Sequence, residues 1–317
     1  MSIIEKAVDK LKNKDSSEDR PEDRARATAG FDHEELPAEL AGASGSVNSA
    51  SEEEYDYRDG RENTNEIVQL PVETLRQKGM LTRDKPRSRI AEEYRMVKRP
   101  LLRNIEGRGA APVENPNLIM VTSSLQGEGK TFTAVNLAMS MTMEEGKTVL
   151  LVDSDFSKGT ISGLLGISQD SPGLIDVLED PEMDLGDAIL HTDIPNLRVI
   201  PAGRLHERST ELLASKGMED LMVEMANRYP DRIIIFDSPP LLLTTEASVL
   251  ARLVGQIAFV ISAEHTPKNV IDEALEHIGR DKVVGMLLNK TRQYIWDRYR
   301  YGYTYGYGYN QPGTGAG

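Results

Sequence analysis

The chain has 317 residues, 39% of them hydrophobic, a net charge of −14 and no cysteine. That length supports one substantial core with long appendages, and the absence of cysteine excludes disulfides and thiolate metal sites. Residues 1–66 hold 18 acids against 9 bases, so the acidity sits mostly in a leader, and the mildly acidic remainder disfavours binding to nucleic-acid phosphates.

From the amino end, residues 1–14 predict a short amphipathic helix. Ser2 and Glu5 fit a capping box, and Ile3, Ile4, Ala7, Val8 and Leu11 share one face. Two readings stand side by side: a helix that frays alone, and a docking peptide for a partner. The start lacks the apolar stretch and cleavage site of a signal peptide. No run approaches 18 apolar residues, so no membrane span is expected. Residues 15–65, rich in Glu, Asp, Ser, Ala, Gly and Arg, are expected to form an acidic disordered linker.

Over residues 66–116 the apolar content returns in a helical or extended lead-in. Ile90, Tyr94, Val97 and Leu101 are spaced for one helical face, and Pro100 is expected to end or kink that helix near Arg99. From residue 117 to 292 the pattern changes to alternating strands and helices. The apolar runs are Leu118–Val121, Val149–Val152, Leu197–Ile200, Ile233–Phe236, Ile257–Ile261 and Val283–Leu288. Most are continuous rather than alternating, as in strands covered on both faces. Helix-length segments at 130–145, 209–228, 244–253 and 268–279 separate them. The expectation is an α/β fold, a doubly wound and mainly parallel sheet with helices on both faces.

The run Ser123-Ser124-Leu125-Gln126-Gly127-Glu128-Gly129-Lys130-Thr131 follows the first core strand and opens a helix, the context a phosphate-binding loop requires. Ser124 stands where the strict motif has its first glycine. Backbone amides of such a loop turn inward on phosphates, and the helix N-terminus adds partial positive charge. Gln126, Gly127, Glu128, Gly129, Lys130, Thr131 and Phe132 are therefore the candidate nucleotide contacts. Lys130 is expected to bridge the β- and γ-phosphates, and the Thr131 hydroxyl to ligate Mg²⁺. Two further strand ends carry acids, Asp153 and Asp155 in one and Asp237 in the other. In a doubly wound sheet that edge holds the ligand crevice. Together these features predict a magnesium–nucleotide site.

Seven of the eleven tyrosines fall in the last 24 residues: Tyr294, Tyr299, Tyr301, Tyr303, Tyr305, Tyr307 and Tyr309. Glycine or threonine alternates with most of them, so residues 293–317 are expected to form a flexible tail that presents phenol hydroxyls. A parallel strand at 283–288 would release this tail on the nucleotide side of the sheet. The 19 residues from Thr291 to Tyr309 span roughly 60 Å when extended. That reaches the chain's own site or a neighbour's.

With its Gly-Glu-Gly-Lys-Thr loop, Asp-x-Asp and Asp-Ser-Pro-Pro strand ends and tyrosine-rich tail, the chain resembles the bacterial tyrosine kinases of exopolysaccharide and capsule biosynthesis over roughly residues 80–310. The start Met1-Ser2-Ile3-Ile4-Glu5-Lys6 looks most like the soluble autokinases of exosortase-linked exopolysaccharide loci. The resemblance implies a P-loop NTPase fold and an ATP- and Mg²⁺-dependent protein-tyrosine autokinase. It implies that Asp153 and Asp155 serve metal binding and activation of the incoming phenol, with Asp153 the first choice of base. Asp237 would orient the metal's water shell, and Tyr299, Tyr301, Tyr303, Tyr305, Tyr307 and Tyr309 would be phosphoacceptors. It further implies a ring-like homo-oligomer, a membrane partner that sets polysaccharide chain length, and a cytoplasmic chain recruited to the inner membrane by that partner. The family's assembly motif, E-x-x-R-x-x-R, matches Glu92, Arg95 and Lys98, with lysine in the last place. Ser157 stands where many members have arginine. The alternative is a partition- or septum-type positioning ATPase without phosphotransfer. Those proteins carry an extra lysine at the position of Leu125.

Overall fold

The computed structural model describes residues 67–156, 159–204, 208–228, 231–279 and 282–291. The leader helix, the acidic linker and the tyrosine tail lie outside the described residues. In chain order the elements are α1 (Val72–Gln77), α2 (Arg89–Ile105), β1 (Leu118–Ser123), α3 (Lys130–Met141), β2 (Thr148–Asp153), α4 (Thr160–Leu165) and α5 (Leu174–Glu179). They continue with β3 (Leu190–His191), β4 (Leu197–Ile200), α6 (Ser209–Leu213), α7 (Lys216–Arg228), β5 (Arg232–Asp237), α8 (Thr245–Leu253), β6 (Gln256–Ser262), α9 (Lys268–Glu276) and β7 (Val283–Asn289).

One seven-stranded sheet runs in the order β3-β4-β2-β5-β1-β6-β7. Every pairing is parallel except β3 against β4. All six predicted apolar runs are strands, and their continuity has the expected cause. Along β1, β2, β5 and β6 alternate residues enter two separate cores. Met120, Leu150, Phe236 and Phe259 join the cluster under α5–α9. Ile119, Leu151, Ile235 and Val260 join the one under α1–α4. Both sets must therefore be apolar, which erases the period of two. β3 has only two residues, too short to leave a pattern.

Three helical expectations need correction. Of the end or kink expected at Pro100, the end is not found: α2 runs through Pro100 to Ile105. A proline inside a helix costs about 3 kcal/mol, yet burial of a large apolar side chain returns roughly 1.5–3 kcal/mol. Tyr94 and Leu101 are both buried on this helix. Gln256 Nε2 also donates to the Leu101 carbonyl at 3.3 Å, and Asn104 donates to Gln256 Oε1 at 2.7 Å. Tertiary contacts thus outweigh the local penalty. The predicted 209–228 helix is two helices, because the Ser215 hydroxyl accepts from Met218 N–H at 3.2 Å and starts α7 afresh. The predicted 130–145 helix stops at Met141, where the Thr142 hydroxyl turns back to the Met139 carbonyl at 2.8 Å.

Residues between Leu70 and Leu101 belong to the same lower core as the sheet. Lys98 is buried there: its ammonium donates to the Ser140 carbonyl at 2.6 Å and pairs with Glu144 at 2.5 Å. Both partners lie at the end of α3, so α2 is fastened to the helix that begins at the phosphate loop.

Candidate active site

Because β1, β2, β5 and β6 are parallel, their carboxyl ends share one edge. Asp153 and Asp237 are register partners on β2 and β5, and Val121 of β1 stands opposite Asp237. The turns beyond the strands are cross-linked by backbone bonds. Ser154 N–H donates to the Asp237 carbonyl at 2.9 Å, Ser238 N–H to Val121 at 3.2 Å, and Leu241 N–H to Ser123 at 2.9 Å. This edge is therefore fixed by main chain before any side chain is considered.

The loop from Ser124 to Gly129 crosses the end of β1. Gly129 has φ 104°, a left-handed conformation that favours glycine, and a Cβ there would strike the Asn289 amide. Asn289 donates to the Glu128 carbonyl at 2.8 Å, and the Lys290 ammonium to the Gly127 carbonyl at 2.6 Å. The Glu128 carboxylate is 3% exposed and folds under the loop. It accepts from Leu125 N–H at 2.6 Å, from Ser262 N–H at 3.5 Å and from the Thr266 hydroxyl. The side chain of Glu128 thus ties the loop to β6 instead of facing a ligand. Gln126 and Gly127 are exposed at the crest, Lys130 is buried at the start of α3, and Phe132 packs partly against the lower core.

Two buried carboxyls dominate the electrostatics. Asp237 is completely buried, and neither of its oxygens has a hydrogen-bond partner. Desolvation pushes its pKa up to about 7, against the downward pull of the nearby Thr131 hydroxyl and Lys130 ammonium. Asp153 is raised well above the usual carboxylate range, first by burial and then by Asp237. Its two oxygens accept backbone N–H bonds from Asp155 at 3.2 Å and Ile161 at 3.1 Å, which pull in the opposite direction. The Ser124 hydroxyl, at the base of the loop, is likewise buried without a partner.

Buried carboxylate oxygens without a protein partner, beside a lysine and a helix start, fit a magnesium–nucleotide site. Among the described residues no three His, Cys, Asp or Glu side chains are grouped to hold a metal by themselves. Magnesium does not need such a cage. It keeps several waters and binds through one or two carboxylates plus phosphate oxygens. Thr131, Asp153 and Asp237 could supply the protein's share.

The sequence-derived site residues do not all converge. Lys130, Thr131, Asp153, Asp155 and Asp237 meet at one edge. Glu92 and Arg95 form an ion pair on the outer part of α2, while Lys98 is turned inward to α3. The tail tyrosines Tyr299, Tyr301, Tyr303, Tyr305, Tyr307 and Tyr309 lie outside the described residues. Local patterns missed Asn289, Lys290 and the underside role of Glu128. The one available signal for the first two was their place just after an apolar strand, the same signal that found Asp153 and Asp237.

The AAA domain family profile matches residues 117–264. Tyrosine-protein kinase YwqD of Bacillus subtilis (strain 168) is 31% identical over 215 residues, covering 67% of this chain and 86% of that protein. Among solved structures, the chimerical protein CapA2B2 superposes with a TM-score of 0.58 at 25% identity, covering 72% of this chain and 96% of the other. The kinase domain of Escherichia coli tyrosine kinase ETK gives 0.51 at 30% identity, covering 62% and 74%.

Proposed function

The chain belongs to the bacterial tyrosine-protein kinase family, a P-loop, nucleotide-binding protein-tyrosine kinase, and on that premise we propose that it phosphorylates its own tail tyrosines from ATP and so regulates exopolysaccharide synthesis and export. The observation that carries this reading is the union of three things at one sheet edge. They are the phosphate loop, the buried pair Asp153–Asp237, and the strand end Asn289–Lys290, which precedes the tail in sequence.

In the proposed reaction the loop amides and Lys130 hold the nucleotide's phosphates, and Thr131, Asp153 and Asp237 would hold magnesium. The ion would supply neutralisation of the phosphates' negative charge. Phosphoryl transfer demands chiefly alignment and electrostatic stabilisation from the protein. The phenolic oxygen of a tail tyrosine attacks the γ-phosphorus, the bond to the β-phosphate oxygen breaks, and ADP leaves. The phenolic proton passes to Asp153, with Asp155 as the second choice. A phenol has a pKa near 10, so the attacking tyrosine benefits from a carboxylate within hydrogen-bond reach. Lys130 stabilises the charge that gathers on the transferring group.

The proposal extends to a homo-oligomer, to a membrane partner that sets polysaccharide chain length, and to cytoplasmic placement beside that partner. Its support is the family relationship. Among the described residues no helix is long and apolar enough to cross a membrane. The reaction is tested by steady-state kinetics with ATP and magnesium. Asp153→Asn should lower phosphotyrosine formation about 10²–10³-fold, within the usual span of general-base catalysis. A variant with an unchanged rate would remove Asp153 from the role.

A further inference from the structure

We propose that the outer edge of β7 is a docking site for the chain's own tail, which adds there as an antiparallel strand over residues 300–306. Docking goes beyond the kinase reading above and does not depend on it. Among the described residues β7 closes the sheet and pairs only with β6. An edge strand turns a row of backbone N–H and C=O groups outward, a template for another strand. The opposite edge is blunted, because β3 has only two residues. The seven residues of β7 include no charge and no proline, the usual guards of such an edge. Met286 and Leu288 are 57% and 63% exposed there. Their register partners Phe259 and Ile261 belong to the core under α5–α9, and Val284 on the same face still packs against it. Helical cover therefore runs out between Val284 and Met286.

The tail's sequence carries the complementary pattern. Tyrosine occupies every second position from Tyr299 to Tyr309, and Arg300, Gly302, Thr304, Gly306 and Gly308 fill the places between. In a strand that period sends every ring to one face, and tyrosine suits a half-buried pleated surface. Directly opposed residues of an antiparallel pair share a face. Tyr301, Tyr303 and Tyr305 set opposite Leu288, Met286 and Val284 thus lay their rings over the uncovered apolar patch. The glycines between them keep the added strand weak, so that it detaches readily.

The connection sets the direction. Lys290, the first residue past β7, has φ 57°, a left-handed backbone that ends the extended strand. Ten residues, 290–299, separate β7 from the proposed strand. An antiparallel return needs only a loop, whereas a parallel one needs a crossover of a dozen or more residues. The returning strand runs from the carboxyl edge of the sheet towards its amino edge. It therefore draws Tyr303 and Tyr305 away from the edge that holds the phosphate loop. On the kinase reading this is an autoinhibitory contact. A phosphate adds about −1.5 to −2 charges to a ring and cannot lie on Met286 and Leu288, so the docked strand is the unphosphorylated tail.

The chain has no cysteine, so engineered pairs report without background. In the full chain without nucleotide, Met286→Cys is combined in turn with Tyr301→Cys, Gly302→Cys, Tyr303→Cys, Thr304→Cys and Tyr305→Cys and oxidised. A disulfide needs Cβ atoms about 3.5–4.5 Å apart, so linking within one chain should be fastest at a tyrosine position and about five-fold or more slower at Gly302→Cys and Thr304→Cys. Equal rates along the series, a maximum at position 302 or 304, or links only between chains would overturn the docking. Hydrogen exchange gives a second reading. Amides of residues 300–306 should exchange about ten-fold or more slowly than in an unstructured peptide, and Met286→Lys with Leu288→Lys should abolish that protection. Both side chains are exposed, so the substitutions leave the core intact. Unprotected wild-type amides, or protection that survives in the variant, would also overturn it. Neither measurement involves phosphate transfer, so an unphosphorylated tail after incubation with ATP would reject the kinase reading and leave the docking result standing.

Discussion

Asp237 concentrates the cost of this site in one residue. Its carboxyl is wholly buried with no partner, and its pKa rises to about 7 in the ligand-free fold. The folded state therefore holds a proton that the unfolded chain releases near pH 4. Stability from this group is complete below the unfolded pKa and is lost as pH rises through 7. Asp153 is raised too and acts in the same direction. The ligand-free protein should lose up to about 1.4 kcal/mol per pH unit between pH 5 and pH 7 through Asp237. Asp237→Asn should flatten that slope, as measured by urea denaturation at fixed temperatures and a series of pH values. A wild-type slope of the opposite sign, or no change in the variant, would contradict the assignment. The acids themselves were legible in the sequence as strand-end residues. Glu128 was not legible as a loop clamp, because Ser262 and Thr266 are 134 and 138 residues away along the chain. Adjacent-residue patterns carry no trace of such contacts.

Among the elements, α2 is the instructive case. Its apolar spacing predicts a helix, and the proline predicts an end or a kink near Arg99. The helix continues because Tyr94, Lys98 and Leu101 are held by α3 and Gln256 on either side of Pro100. Pro100→Ala should thus stabilise the protein by about 1–3 kcal/mol, restoring a helical N–H without loss of core. A lower urea midpoint in the variant would show that the proline is required. The strands were legible for a simpler reason. Residues such as Ile233–Phe236 must satisfy two cores at once, and few polar residues are tolerated there. The split between α6 and α7 was hidden because Ser215 is polar enough for either a helix surface or a cap.

At the scale of the molecule, topology brings together what the sequence separates. The loop at 124–131, the acids at 153 and 237 and the strand end at 289–290 are spread over more than half the chain, and parallel strands return all of them to one edge. The expected parallel course of β7 is observed, and its end is bonded to the phosphate loop itself. Those bonds were invisible in the sequence, and they hold Asn289 and Lys290, the residues just ahead of the tail in sequence, against the phosphate loop. The most direct measurement is mass spectrometry of residues 293–317 after incubation of the full chain with ATP and magnesium, wild type against Lys130→Met. Phosphate is expected on tyrosines from Tyr299 to Tyr309 in the wild type and none in the variant. An unmodified wild-type tail with free phosphate as the only product, or tail phosphate that survives Lys130→Met, would contradict it.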